Sequence, residues 1–208
     1  MTSDKILDGL KQIAAQTDAN VRSLLLAGLV SELFRERGFE PVVVGGSAIE
    51  FYTDGAYTSG DTDICWAGIS VPTPFERAEV MSQIPGVRAN GTRSWIIENA
   101  WVDLLGELRS YGSRPFTSTL TPFGEVVFIS VEEVLAERVF AARRWVGFNA
   151  EDDACAKKLM ASILRGEISC DWETARQIAA LPAYRCEKEL EDVKAEVTSE
   201  LETPKKRV

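Results

Sequence analysis

The chain has 208 residues, of which 45% are hydrophobic and 26% are charged, as expected of a globular protein with one sizeable domain or a domain with a helical extension. It contains no histidine, which excludes histidine-ligated zinc and serine–histidine–aspartate hydrolysis, so acid–base chemistry and metal binding fall to carboxylates. The net charge of −9 disfavours the binding of long nucleic acids, which requires a basic surface.

The sequence carries no sign of a membrane protein or a secreted protein. No apolar run approaches the ~20 residues of a membrane span, and the first residues, MTSDKILDGL, lack the layout of a signal peptide. The four cysteines lie far apart and show no paired metal-ligand spacing. We therefore expect a cytoplasmic protein with reduced, buried thiols and no membrane partner.

Two helices are predicted at the N-terminus, over residues 3–15 and from about Asp18 to Arg37, with Gly38 as the C-cap of the second. An apolar strand over 40–44 follows and stops at Gly45-Gly46-Ser47. The two glycines allow the backbone to approach a ligand closely. Ser47 and Glu50 fit a capping box that opens a short helix, whose free N–H groups suit a phosphate.

A turn-rich segment, 54–60, leads to a strand over 61–67 that begins with Asp61-Thr62-Asp63. Alternate side chains of a strand share a face, so the two carboxylates project together. They repel each other unless a cation lies between them, and oxygen-only sites favour Mg²⁺ or Mn²⁺. This stretch therefore predicts a phosphate-binding turn beside a metal-binding acid pair; the alternative is a tight turn followed by two solvated acids.

The middle of the chain predicts a helix from Thr73 to near Gly86, two strands over 94–98 and 100–105 joined at Asn99, a loop over 109–123 and a last strand over 125–129. Core packing is predicted for four tryptophans: Trp66, Trp95, Trp101 and Trp145. Asp103 stands among apolar strand residues, where an acid needs a partner or a cation, and is the candidate for a third metal ligand. Glu98 and Glu107 are the alternatives.

The remainder is helical in pattern, with helices over about 130–145, 149–164, 171–181 and 184–201. The last one carries an apolar stripe amid heavy charge: Leu190, Val193, Val197 and Leu201. This stripe favours packing against the chain's own helices, and the alternative is a homo-oligomer or protein-partner contact. For Asp152 and Asp153 we expect helix capping or salt bridges.

The order Val44, Gly45-Gly46-Ser47, then Asp61 and Asp63, resembles the signature of the polymerase-beta-like nucleotidyltransferase superfamily, with Thr62 where an apolar residue is usual. Residues 131–165 resemble bacterial nucleotidyltransferase-like proteins, including abortive-infection-type toxins. In this second block Arg138 stands where lysine is usual.

The resemblance implies a set of site residues. Asp61, Asp63 and Asp103 would be catalytic ligands of Mg²⁺ or Mn²⁺, and the nucleoside triphosphate substrate would be bound by Gly45, Gly46, Ser47 and Arg138. The implied reaction is transfer of a nucleoside monophosphate to the hydroxyl of an acceptor that is left open: a small molecule, a protein or an RNA end. The alternative is a non-catalytic nucleotide-binding or interaction module within a toxin–antitoxin pair.

The pattern of elements and the resemblance together predict an α+β fold. A small mixed β-sheet with flanking helices would be followed by a C-terminal helical bundle. Residues 1–39 would form N-terminal helices packed on the core, 40–130 the sheet domain and 131–208 the helical region.

Overall fold

The structure, a computed structural model, describes residues 1–55, 57–108 and 116–203. Within these ranges it contains eight helices: α1 (Ser3–Ala15), α2 (Ala19–Arg35), α3 (Gly45–Tyr52), α4 (Pro74–Met81), α5 (Val131–Arg143), α6 (Ala150–Leu164), α7 (Trp172–Ala180) and α8 (Glu187–Glu202). The strands are β1 (Glu40–Val44), β2 (Asp61–Ala67), β3 (Arg88–Asn90), β4 (Ser94–Ile97), β5 (Ala100–Glu107), β6 (Thr117–Thr121) and β7 (Gly124–Phe128).

The strands form one mixed sheet in the order β3-β4-β5-β2-β1-β7-β6. The pairs β2–β5 and β1–β7 are parallel, and the other neighbours are antiparallel. Helices α5 to α8 follow the last strand. The predicted α+β class, with a mixed sheet followed by a helical C-terminal region, is confirmed.

Local capping chemistry explains several helix ends. Asp18 caps α2 by accepting from the N–H of Val21, and Thr73 with Glu76 forms a complete capping box at α4. Gly38, at φ +83°, donates to the carbonyl of Arg35 after the end of α2. Helix α2 itself ends at Arg35 with Glu36 as its C-cap, so the predicted C-cap at Gly38 is two residues too late.

Some predicted boundaries are wrong. Helix α4 ends at Met81 rather than near Gly86, and the short strand β3 had not been predicted. The first part of the predicted loop over 109–123, residues 109–115, lies outside the described residues. The later part contains β6. The capping-box prediction for the helix after β1 is also wrong, because α3 begins at Gly45 and Ser47 lies within its first turn.

The described residues fall into two compact units. The first contains Met1–Phe51, 58–108 and 116–129, and its core is built from the sheet and α2, with Phe34, Ile64 and Trp66 completely buried. The second contains 52–55, 57 and 130–203, and its helices α5, α6, α7 and α8 pack on one another. Three apolar residues of the α8 stripe are buried in this unit: Leu190, Val193 and Val197. Packing of the stripe on the chain's own helices is thus observed, and a partner contact at α8 stays a prediction.

Two of the four tryptophans contradict the core prediction. Trp66 and Trp95 are buried, whereas Trp101 is 40% exposed and Trp145 is 71% exposed. Trp101 occupies an outward position of β5, and Trp145 lies in the loop after α5. No disulfide joins any of the four cysteines, all of which lie in the described ranges. Among the described helices, none is both long and apolar enough to cross a membrane.

Candidate metal centre

The sheet brings three carboxylates together. Strands β2 and β5 are parallel neighbours, and Asp63 is the register partner of Asp103. Asp61 lies two residues before Asp63 and therefore on the same face of the sheet. Asp61, Asp63 and Asp103 each offer an oxygen atom, and these three atoms lie within 4.8 Å of one another.

The same strands bury their alternate residues, which explains why the acids share the accessible face. Thr62, Ile64, Val102 and Leu104 are buried, whereas Asp63 and Asp103 between them are half-buried. Of the acids considered for the third position, Asp103 joins the cluster. Glu98 lies at the turn before β5 with φ +48°, and Glu107 is the exposed last residue of β5.

The cluster concentrates negative charge. Two unit charges about 4 Å apart repel by about 1 kcal/mol in water and by about 4 kcal/mol at an effective dielectric constant of about 20. The Ser59 hydroxyl donates to Oδ1 of Asp61 over 3.1 Å. The Oδ1 atom of Asp103 is buried and has no hydrogen-bond partner among the described residues. A buried carboxylate oxygen without a donor, next to two further carboxylates, fits a divalent cation with oxygen ligands.

Gly45 brings the turn after β1 against this cluster. Its φ of +61° lies in the left-handed region, which disfavours any residue with a side chain. A Cβ atom at this position would lie 2.7 Å from Oδ2 of Asp63, closer than real Cβ contacts allow. Gly46 follows as a buried residue of the first turn of α3. The glycine turn therefore lies beside the acids, and its predicted role in binding a phosphate stays a prediction.

The hydroxyl of Ser47 does not take the predicted part in a capping box. Its hydroxyl donates to the carbonyl oxygen of Asp61 over 2.8 Å and accepts from the N–H of Asp63 over 3.1 Å. The single hydroxyl proton is thus used inside the protein rather than offered to a phosphate. These two bonds tie the start of α3 to β2 on both sides of Thr62, which holds the two acids in place. The bonded residues are 14 and 16 positions apart in the sequence, so a local sequence pattern could not predict these contacts.

Glu50 is a buried acid that sequence reasoning placed in a capping box. One carboxylate oxygen accepts from the N–H of Ser59 over 3.0 Å, and the other is buried without a partner among the described residues. Neither oxygen therefore closes a capping box on Ser47. Burial raises the pKa of the Glu50 carboxyl above its ordinary value, and the N–H of Ser59 opposes this shift.

Arg138, predicted to bind the triphosphate, lies on α5 in the second unit. Its guanidinium donates to Asp152 over 2.8 Å and to Glu137 over 3.3 Å. Asp153 is paired with Arg143 and with Lys157. The prediction of salt bridges for Asp152 and Asp153 is confirmed. A triphosphate contact of Arg138 stays a prediction, because its guanidinium is engaged by carboxylates in this structure.

Comparison with known proteins adds little to this geometry. No protein-family model matches the chain, and no curated protein matches it. Among solved structures, the crystal structure of ANT(2'')-Ia in complex with adenylyl-2''-tobramycin is similar, with 14% identity and a TM-score of 0.45 over 87% of this chain and 99% of that one. The solution structure of the antibiotic-resistance factor ANT(2'')-Ia has 15% identity and a TM-score of 0.48 over 88% and 95% of the two chains. Similarity at this level supports no argument about this chain, so the function is argued from the site.

Proposed function

We propose that the chain is a metal-dependent nucleotidyltransferase that transfers a nucleoside monophosphate from a nucleoside triphosphate to an acceptor hydroxyl. The observation that carries the proposal is the cluster of Asp61, Asp63 and Asp103, whose oxygens lie within 4.8 Å of one another. Two further observations support it: the donor-free oxygen of Asp103, whose charge a cation would neutralise, and the glycine at position 45, which brings the start of α3 against the acids.

In this proposal the three acids would hold the cation that orients the triphosphate, and the two hydrogen bonds of Ser47 keep Asp61 and Asp63 in place. Asp103 would also accept the proton of the attacking hydroxyl, since the chain has no histidine to take it. When bound, Mg²⁺ or Mn²⁺ supplies charge neutralisation for the triphosphate and the leaving pyrophosphate.

The phosphates would lie against the turn that begins α3. The backbone N–H groups of Gly45, Gly46 and Ser47 belong to the N-terminal turn of this helix, where N–H groups have no intrahelical acceptor. Arg138 is proposed as a further triphosphate contact. Its Nη1 atom, which donates to Asp152, would then donate to a phosphate oxygen instead.

The first test is calorimetric titration of the purified chain with Mn²⁺, with and without each nucleoside triphosphate. Asp103→Asn is compared with the wild type because it removes one charge from the cluster without changing the side-chain size. We expect Mn²⁺ to bind the wild type and to raise its melting temperature, by the linkage between binding and unfolding. We expect Asp103→Asn to lose this effect and, with an accepting substrate, to turn over about 100- to 1,000-fold more slowly.

Glu107→Gln is the matched control, because Glu107 ends the same strand but lies outside the cluster. It should bind Mn²⁺ as the wild type does. Pyrophosphate release is then followed with acceptor panels of small molecules, proteins and RNA ends. Wild-type protein that binds neither Mn²⁺ nor any triphosphate would contradict the proposal, and triphosphate binding without transfer to any acceptor would favour a non-catalytic nucleotide-binding module.

A further inference from the structure

Arg77 is a buried cation whose partners are all main-chain carbonyls. It lies on α4 and is 6% exposed. Its Nε donates to the carbonyl of Pro72 over 3.1 Å, and its two terminal nitrogens donate to the carbonyls of Leu104 and Leu105, each over 2.7 Å. In the described part of the chain it forms no ion pair with a carboxylate.

A contribution to folding stability does not by itself explain why a charged arginine is buried here. Burying a charge is costly, and buried ions can often be replaced by apolar residues of similar volume at no loss of stability. Burial lowers the pKa of Arg77, which reflects that cost. What an arginine offers here is geometry, because its planar fork holds two carbonyl groups at a fixed spacing.

The two carbonyls lie where the pairing of β5 with β2 becomes irregular. Ile64 pairs with Leu104, but Trp66 pairs with Glu107, so three steps along β5 match two along β2. This is a bulge, a feature that re-aims neighbouring side chains and is common beside active sites. The Leu105 carbonyl also accepts from the indole N–H of Trp66 over 3.0 Å.

Asp103 lies two residues before the bulge, which begins after Leu104. Its register partner is Asp63, and a slip of one residue in β5 would turn its carboxylate to the opposite face of the sheet. Arg77 binds the carbonyls of the two residues that follow Asp103, at the place where this register changes.

We propose that Arg77 is a positioning residue for Asp103, which acts by binding the Leu104 and Leu105 carbonyls and so keeping β5 in the register that completes the acid cluster. This inference rests on the proposed function, because the consequence of correct positioning is cation binding by the three acids. Arg77 itself touches neither the cation nor the substrate.

The test compares Mn²⁺ affinity and urea stability in Arg77→Lys, Val80→Ala and the wild type. Lysine keeps the charge but lacks the planar fork. Val80→Ala opens a cavity under the same helix, because Val80 is buried in α4, but it removes no hydrogen-bond donor from either carbonyl. We expect Arg77→Lys to bind Mn²⁺ about 10-fold more weakly, as is typical when a residue that orients a metal ligand is changed, and Val80→Ala to bind as the wild type does.

The outcomes separate the two proposals. Wild-type protein that binds no Mn²⁺ overturns the metal-dependent function and this inference with it. Binding by the wild type that is unchanged in Arg77→Lys, or weakened as much in Val80→Ala, overturns only the positioning role. If Arg77→Lys does not fold, Trp66→Phe decides, since it removes the other donor to Leu105: weaker Mn²⁺ binding supports the proposal and unchanged binding overturns it.

Discussion

Gly45 meets two constraints that can be separated experimentally. Its backbone is left-handed, and the space where a Cβ would lie is occupied by Oδ2 of Asp63. The first constraint acts on folding and the second on the carboxylate. Gly38 meets only the first, since it has φ +83° and nothing within 4 Å of its Cβ position.

We predict that Gly45→Ala and Gly38→Ala each lower the free energy of unfolding by about 1–2 kcal/mol, the usual cost of a side chain in the left-handed region. Only Gly45→Ala should also weaken Mn²⁺ binding, because its methyl group displaces the Asp63 carboxylate. Urea unfolding and Mn²⁺ titration of both variants check this. Equal Mn²⁺ affinity in the two variants would show that the carboxylate tolerates the methyl group.

Individual site residues were predictable to different degrees. Asp61 and Asp63 follow from strand alternation, and Asp103 from the rule that an acid among apolar residues needs a partner. The hydroxyl partners of Ser47 and the role of Arg77 were not predictable, because both depend on contacts between segments 14 to 28 residues apart. A buried arginine on a helix looks, in sequence, like any solvated charge.

At the level of elements, prediction succeeded wherever burial imposes a pattern. Strands β1 and β2 were predicted with their observed bounds, and the β4–β5 hairpin turns at Glu98 and Asn99, both with positive φ. The strands β3 and β6 were missed because neither buries any side chain: RAN is exposed throughout, and TSTLT is exposed or half-buried. A strand without a buried face shows no alternation of apolar and polar residues from which it could be predicted.

Helix α8 is held to its neighbours by charge as well as by its apolar stripe. The carboxylate of Glu196 accepts one hydrogen bond from each terminal nitrogen of Arg143, over 2.9 and 2.8 Å. One of its oxygens also lies 2.8 Å from Nζ of Lys157. The hydrogen bonds from Arg143 and then Lys157 lower the pKa of the Glu196 carboxyl to about 2. The charged form is therefore favoured in the folded state.

A lowered pKa fixes the sign of the pH dependence. The stability that Glu196 contributes is present above its ordinary pKa of 4.5 and is lost as the pH falls towards about 2. We predict that Glu196→Gln melts at a lower temperature than the wild type at pH 7, and that the difference shrinks between pH 4.5 and 2. Glu200→Gln, on the exposed side of the same helix and without an ion pair among the described residues, is the control. A difference that persists at pH 2 would contradict the ion-pair explanation.

For the molecule as a whole, the balance of acidic and basic residues limits the kinds of partner that it can bind. The chain has 32 acidic and 23 basic residues. Several of the basic residues are already paired with acids in the described ranges, among them Arg35, Arg37, Arg143, Lys157 and Arg176. Acidic residues thus outnumber basic ones, and part of the positive charge is already neutralised within the protein, which disfavours binding to a phosphate backbone.

We therefore predict no saturable binding of a long DNA or RNA duplex at about 0.15 M salt, since such binding is driven by the release of counterions from many neutralised phosphates. Fluorescence anisotropy of a labelled duplex, titrated with the protein at several salt concentrations, measures this. Micromolar binding that weakens steeply with salt would contradict the prediction and point to a basic surface. Short RNA ends and small cationic molecules stay open as acceptors.

The unequal exposure of the tryptophans provides two optical reporters. The first unit holds the buried indoles of Trp66 and Trp95, whereas Trp145, in the second unit, is 71% exposed. A red shift in emission on heating or in urea will therefore report on the opening of the sheet, while collisional quenching by acrylamide in the native protein will report on the exposed indoles, Trp145 between α5 and α6 and Trp101 on β5.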